Sequence, residues 1–186
     1  ARSPRSYNSQ IGVPLSVWLL DEQSQVGIFE AGISEPNEMQ ALRDIIQPTI
    51  GVLTCMGAAH QENFQSMEEK CNEKLKLFHD AQCVVYGKDD ALVEHCMQQL
   101  NIKGERLAWS MHDAQAPLYV SSAIKSDATT TITYTWQGNT HCYTLPFIDD
   151  ASVMNSITCA ATALHLGVSA DALAQRMATL EPVAMR

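Results

Sequence analysis

The strongest constraint in this chain is an alternation of short apolar runs with stretches of helical period. "VGIFEAG" (26–32), "TIGVLTCMG" (49–57) and "CVVYG" (83–87) are apolar almost throughout. A strand that is apolar on both faces must be covered on both, which is the situation of a parallel strand between helices. Segments able to cover such strands follow each run. "PNEMQALRDII" places Met39, Leu42, Ile45 and Ile46 at helical spacing and stops at Pro48. "SMEEKCNEKLKLFHDA" opens with Ser66-x-x-Glu69, a capping box, and "DALVEHCMQQL" supplies a third helix. The alternation predicts an α/β fold with parallel strands at 26–30 and 50–55 and helices near 38–46 and 66–79.

The rhythm changes after residue 104. "ERLAWS", "PLYVSSAIKSD", "TTTITYTWQGN" and "THCYTLPF" read as short strands, with Gly138-Asn139 as a hairpin turn. They predict an antiparallel extension of the sheet over 105–147. Two helices follow. "ASVMNSITCAATALHLG" is capped by Asp149, Asp150 or Ser152 and stopped by Gly167; "SADALAQRMATL" is capped by Ser169 and ended before Pro182.

A formal net charge of −9 leaves no basic face to meet phosphates, which argues against nucleic-acid or anionic-membrane binding. No apolar run approaches the roughly 18 residues of a membrane span. Six cysteines are scattered without a CxxC, the usage of buried free thiols in a reduced, cytoplasmic protein.

Ligands of open parallel sheets bind at the carboxyl ends of the strands. Two such ends carry polar groups here: Glu30, expected to be a buried carboxylate, and His60 in "CMGAAHQENF". Glu30 suits either a salt bridge or a metal ligand, and His60 either a plain loop residue or a ligand. On a helical wheel Lys74 falls inside the stripe of Met67, Cys71, Leu75 and Phe78. A lysine there is either paired with a carboxylate or held with a depressed amine pKa for chemistry. No GxxxxGK[ST] or GxGxxG phosphate loop occurs among the nine glycines. The residues alone reach no further than an α/β domain with a Glu/His/Lys metal or anion site.

"NSQIGVPLS", "IFEAGIS", "TIGVLTCMGAAHQENFQSMEEKCNEKLKLF", "DDASVMNSITCAATALHLGVS" and "LEPVAMR", in that order, resemble the central ATPase domain of the Mur ligases. The nearest branch is the one that adds D-alanyl-D-alanine to UDP-N-acetylmuramoyl-tripeptide in peptidoglycan synthesis. "SPRSYNSQIGVPLS" and "AHQENF" are most similar to the form that some bacteria fuse to alanine racemase.

The resemblance implies a P-loop-NTPase-like three-layer sandwich, with ATP and Mg2+ as cofactors of the parent enzyme. Pyridoxal phosphate would belong only to an attached racemase. Glu30 matches the carboxylate that holds the magnesium bridging the ATP phosphates. His60 matches a ligand of a second magnesium, and Lys74, fourteen residues on, matches a lysine carbamylated by CO2 that helps to hold it. Asn155 matches the asparagine that contacts adenine, although Ser152 stands where many relatives have Asn, and Asn8 lies in the loop facing phosphates and substrate. The implied mechanism phosphorylates the substrate's carboxylate and lets the dipeptide amine attack the acyl phosphate. The family's phosphate loop is expected just before Ala1, so residues 1–186 read as a piece of that domain, inactive alone, with an exposed strand edge that invites dimerisation. Two other classes compete: a folylpolyglutamate synthase-type ligase and a noncatalytic binding domain.

Overall fold

The structure, a computed structural model, describes residues 1–4, 6–57 and 59–181. In chain order the elements are α1 (Gly12–Val17), α2 (Glu38–Ile46), β1 (Ile50–Val52), α3 (Met67–Leu75), β2 (Cys83–Gly87), α4 (Ala91–Gln99), β3 (Glu105–Ser110), β4 (Leu118–Lys125), β5 (Thr130–Trp136), β6 (Asn139–Leu145), α5 (Asp150–His165) and α6 (Ala170–Met177). Short 3₁₀ turns occupy Gln61–Asn63 and Lys76–Phe78. The six strands form one mixed sheet in the order β1-β2-β3-β4-β5-β6. This is the α/β class that the alternation predicts.

The helix ends follow the side chains that cap them. Ser66 Oγ accepts from Glu69 N at 3.0 Å, and the Glu69 carboxylate accepts from Gln65 N at 2.6 Å, so the expected capping box forms one residue wider than the pattern. Asp149 is the cap of α5 and Ser169 that of α6. Gly167 takes φ 85°, and the amides of Gly167 and Val168 close back on Leu164 and Ala163, the αL ending that favours glycine. Pro182, expected beyond α6, lies outside the described residues.

Three expectations are corrected. Residues 26–30 do not form a buried strand: Ile28 makes a single parallel bridge to Arg2, with main-chain bonds to Ala1 and Ser3. Val26 and Ile28 remain 51% and 68% exposed, and Glu30 is exposed as well. Apolar composition states a need for cover, and no described element supplies it. Second, β3 runs parallel to β4, pairing Trp109 with Leu118, so the antiparallel part begins at β4. Third, the β5–β6 turn is Gln137-Gly138, at φ 49° and 79°, one residue earlier than expected. Positive φ at both central positions is the type I′ geometry that suits the strand twist.

The chain packs as two compact units. One comprises residues 1–51, 56–83 and 95–105; the other comprises 52–55, 84–94 and the chain from 106 onwards. In the first, α2 packs on α3 and on the 76–78 turn, burying Met39, Leu42, Cys71, Leu75 and Phe78. In the second, β5 and β6 alternate, turning Ile132, Tyr134, Tyr143 and Leu145 inward. There α6 lies on β6, and Trp109 Nε1 donates to Thr158 Oγ1 of α5 at 2.9 Å. Buried Trp and Tyr need such partners for their polar ends. Tyr143 finds Ser156 at 2.9 Å, and burial pushes the Tyr143 phenol well above its ordinary pKa. Cys71, Cys83 and Cys96 are buried and outside any disulfide, as expected, whereas Cys55, Cys142 and Cys159 are exposed.

Gly51 sits where a side chain has no room: a Cβ would lie 2.4 Å from Phe78 Cδ1 and 3.0 Å from Phe78 Cβ. Gly51→Ala should therefore destabilise the chain by about 1–3 kcal/mol in urea unfolding, the usual scale of overpacking. Adding Phe78→Leu should recover part of that loss.

Candidate functional site

Two cavities carry the candidate residues, one in each unit. The first, about 380 Å³, is lined by Asn8, Ser9, Gln10, Gly32, Ser34, Glu38 and His60 among others. Its walls are held by short main-chain and side-chain ties. Gly32 N donates to Asn8 O at 2.7 Å, and a Cβ at Gly32 would meet Asn8 atoms at 3.2 Å, so glycine permits this close approach. The Glu38 carboxylate, at the first turn of α2, accepts from the amides of Ser34 and Glu35 at 2.7 and 3.0 Å. The other wall carries His60, in the left-handed conformation (φ 59°, ψ 21°) ahead of the Gln61–Asn63 turn. Asn63 Nδ2 ties that turn to Ser34 O at 2.9 Å.

Asn8 and Glu30 meet directly: Asn8 Nδ2 donates to Glu30 Oε1 at 2.9 Å. Asn8 and His60 line the same cavity, and Glu30 joins them through Asn8. Glu30 is neither buried nor in an ion pair among the described residues. Neither Glu30 nor His60 converges with two further His, Cys, Asp or Glu ligand atoms among the described residues. That arrangement suits Mg2+, which is ordinarily bound through one or two carboxylates with waters and substrate phosphates completing its shell. Glu30 Oε1 accepts from Asn8, and the exposed carboxylate offers a hard oxygen of the kind such a cation takes.

The expectation of a lysine in the core stripe is met by a different residue. Lys74 is half-buried on α3 and lines neither cavity, whereas Lys70, one turn earlier, is 1% exposed. Lys70 Nζ donates to Gly57 O at 2.7 Å and to Ala59 O. Glu73 is also buried, at 3% exposed; it accepts from Met39 N at 3.2 Å and pairs with Lys76 at 2.6 Å. The N-cap of α2, Asn37, makes no side-chain cap bond, so Glu73 caps that helix from α3. The wheel misses both residues because it registers only apolar neighbours, whereas Lys70 is met by loop carbonyls and Glu73 by the Met39 amide and the Lys76 ammonium. The one available signal was two opposite charges bordering an apolar arc.

The second cavity, about 290 Å³, is mostly apolar, with Leu53, Val93, Trp109 and Met154 in its wall and Asn155 exposed on α5. Its rim is braced by residues that the sequence reading missed. Asp89 accepts from Ser110 Oγ and from Met111 N at 2.7 Å, and Lys88 pairs with Asp113 at 2.5 Å. The hydrogen bond from Lys88 holds the Asp113 carboxyl below its ordinary value, and the same bond raises Lys88. The signal was present in "GKDDA", directly after the apolar run of β2. A mostly apolar slot with an amide that both donates and accepts suits a heteroaromatic base.

Residues 2–163 match the Mur ligase middle domain. The chain belongs to the Mur ligase family. A UDP-N-acetylmuramoyl-tripeptide–D-alanyl-D-alanine ligase of Bacillus subtilis is 21% identical over 97% of this chain and 38% of its own length. Among solved structures, MurF from Acinetobacter baumannii has a TM-score of 0.87 at 17% identity, covering 98% of this chain and 40% of that one. MurF ligase from Thermotoga maritima in complex with ADP has a TM-score of 0.82 at 19% identity, covering 98% and 42%. At these identities the solved structures establish the Mur-ligase fold, and the chain spans about two-fifths of its relatives' length. Among the described residues of this Mur ligase domain, no helix is long and apolar enough to cross a membrane.

The helix that carries Asn155 starts at Asp149, whose carboxylate accepts from Ser152 N at 2.8 Å. Backbone and side-chain hydrogen bonds from Ser152 hold its pKa below the ordinary carboxylate value. A depressed folded pKa means stability that is present above the unfolded value and is lost as pH falls through the folded one. Asp149→Ala should therefore melt below wild type at pH 7. The difference should shrink below about pH 4, as the wild-type carboxylate protonates; calorimetric melts at both pH values check it.

Proposed function

We propose that this chain is the nucleotide-binding middle portion of an ATP-dependent ligase that joins D-alanyl-D-alanine to UDP-N-acetylmuramoyl-tripeptide in peptidoglycan precursor synthesis. The observation that carries this reading is the match to a ligase of that name across 97% of the chain. Residues 1–186 would form one part of that enzyme, ending at the boundary with its C-terminal ligase domain. The similarity of residues 3–16 and 59–64 to the racemase-fused form supports a bifunctional parent; pyridoxal phosphate would then belong to the racemase.

The reaction activates the tripeptide carboxylate as an acyl phosphate, which the dipeptide amine then attacks. In this reading Glu30, His60 and a carbamylated Lys74 hold magnesium. When bound, the metal neutralises the charge that builds on the transferring phosphoryl oxygens. Asn8 fixes the direction of the Glu30 carboxylate through its 2.9 Å bond and presents the rest of its loop to the first cavity. Asn155 reads the edge of the adenine, while Leu53, Trp109 and Met154 exclude water from its faces. The braced Asp89–Ser110 and Lys88–Asp113 contacts keep the rim of that slot in place. Lys74 is half-buried on α3, and the carbamate formed there is an anion that needs a cation facing it.

The test uses the full-length enzyme containing this chain. With ATP and Mg2+, ADP release should depend on UDP-N-acetylmuramoyl-tripeptide and D-alanyl-D-alanine together, and folate with glutamate should give none. Lys74→Ala should lower turnover by about a hundredfold or more, the scale of losing a group that stabilises transition-state charge. Added short-chain carboxylate should restore part of it. Wild-type turnover in Lys74→Ala would remove Lys74 from the site.

A further inference from the structure

We propose that Lys70 is a positioning residue, whose buried ammonium holds the backbone ahead of His60 and so fixes where the imidazole is presented. The proposal rests on the reading of His60 as a ligand of the ligase site. Lysines are almost never fully buried unless their charge is met. At Lys70 it is met by two carbonyl oxygens, those of Gly57 and Ala59, which lie eleven to thirteen residues earlier in the chain. The second of these carbonyls belongs to the residue directly before His60, so the ammonium restrains the backbone where it enters the His60 turn.

His60 occupies the left-handed region, uncommon for any residue other than glycine, although asparagine, aspartate and histidine enter it more often than the rest. Such a conformation persists only where its surroundings determine it. The structure supplies restraint on both flanks: Lys70 before the turn, and the 2.9 Å bond from Asn63 Nδ2 to Ser34 O after it. The amides of Asn63 and Phe64, bonded to the carbonyls of His60 and Gln61, close the turn between them. Lys70 also lies one helical turn before Lys74, on the same face of α3. One helix thus carries the proposed carbamate and the residue that orients its partner ligand. A compact ammonium with three donors suits converging carbonyls, and the planar fork of arginine does not.

The test compares wild type, Lys70→Met and Lys70→Arg in the full-length enzyme. Two quantities are measured: amide hydrogen exchange without ligand, and the Mg2+ dependence of turnover. Exchange at Asn63 and Phe64 should accelerate about tenfold or more in both variants, while the amide of Leu75 in the same helix keeps its rate. The Mg2+ concentration for half-maximal activity should rise about tenfold, the scale of losing an outer-shell partner, with kcat at saturating Mg2+ within about threefold. A merely structural role would lower the amount of active enzyme without moving the Mg2+ midpoint. Unchanged exchange at Asn63 and Phe64, or uniform acceleration of all amides, would overturn the proposal. Should Lys70→Met fail to fold, Lys70→Gln is read by the same two measurements. A His60→Ala enzyme with unchanged Mg2+ dependence would instead overturn the metal reading beneath the proposal. Because exchange is measured without ligand, the two failures are separable.

Discussion

Helix α3 is held in place by two buried charges, each bonded to backbone of another segment. Lys70 meets the carbonyls of Gly57 and Ala59, and Glu73 meets the amide of Met39 at the start of α2. Without its carbonyls Lys70 would be a charge in a site of low polarity, where an uncompensated ion costs several kcal/mol, whereas Glu73 also keeps its pair with Lys76. These two contacts therefore register α3 against the His60 turn on one side and against α2 on the other. Apolar contact alone would not do this, because a stripe of Cys71, Leu75 and Phe78 tolerates sliding, whereas a hydrogen bond between named atoms does not.

The first cavity inherits that registration. Glu38 opens α2 and organises the amides of Ser34 and Glu35, and Asn63 closes on Ser34 from the His60 side. Each wall is thus tied to an element that Lys70 or Glu73 anchors. The second cavity is built on a different plan, with apolar walls and a rim of short polar contacts around Asp89 and Asp113. One cavity has a mixed lining drawn mainly from loops; the other is mostly apolar and framed by strands and two helices.

Much of this was legible in the sequence, where the information is local. The caps Ser66, Asp149 and Ser169, the stop at Gly167, and helices α2 to α6 are all written in residues within a few positions of where they act. What was not legible depends on distant partners. Residues 26–30 look like β1 and β2 in composition, but composition cannot report whether a neighbouring strand is there to cover them. The wheel around Lys74 was drawn on apolar residues, so it passed over Lys70, whose partners are carbonyls in a loop. The parallel pairing of β3 with β4 was missed because direction is decided by the path of residues 111–117, and no pattern of apolar residues encodes that path. Asn8 and Glu30, chosen separately, proved to be bonded to one another.

The left-handed backbone at His60 also limits how position 60 can change over evolutionary time. For most side chains this conformation costs roughly 1–2 kcal/mol, and β-branched residues fare worst. Glycine, asparagine and aspartate enter it cheaply, but glycine offers no ligand atom. Mutational drift at this position is therefore channelled by backbone geometry before chemistry is tested. Asparagine and aspartate are the two neighbours in sequence space that keep both the turn and an atom able to face a cation.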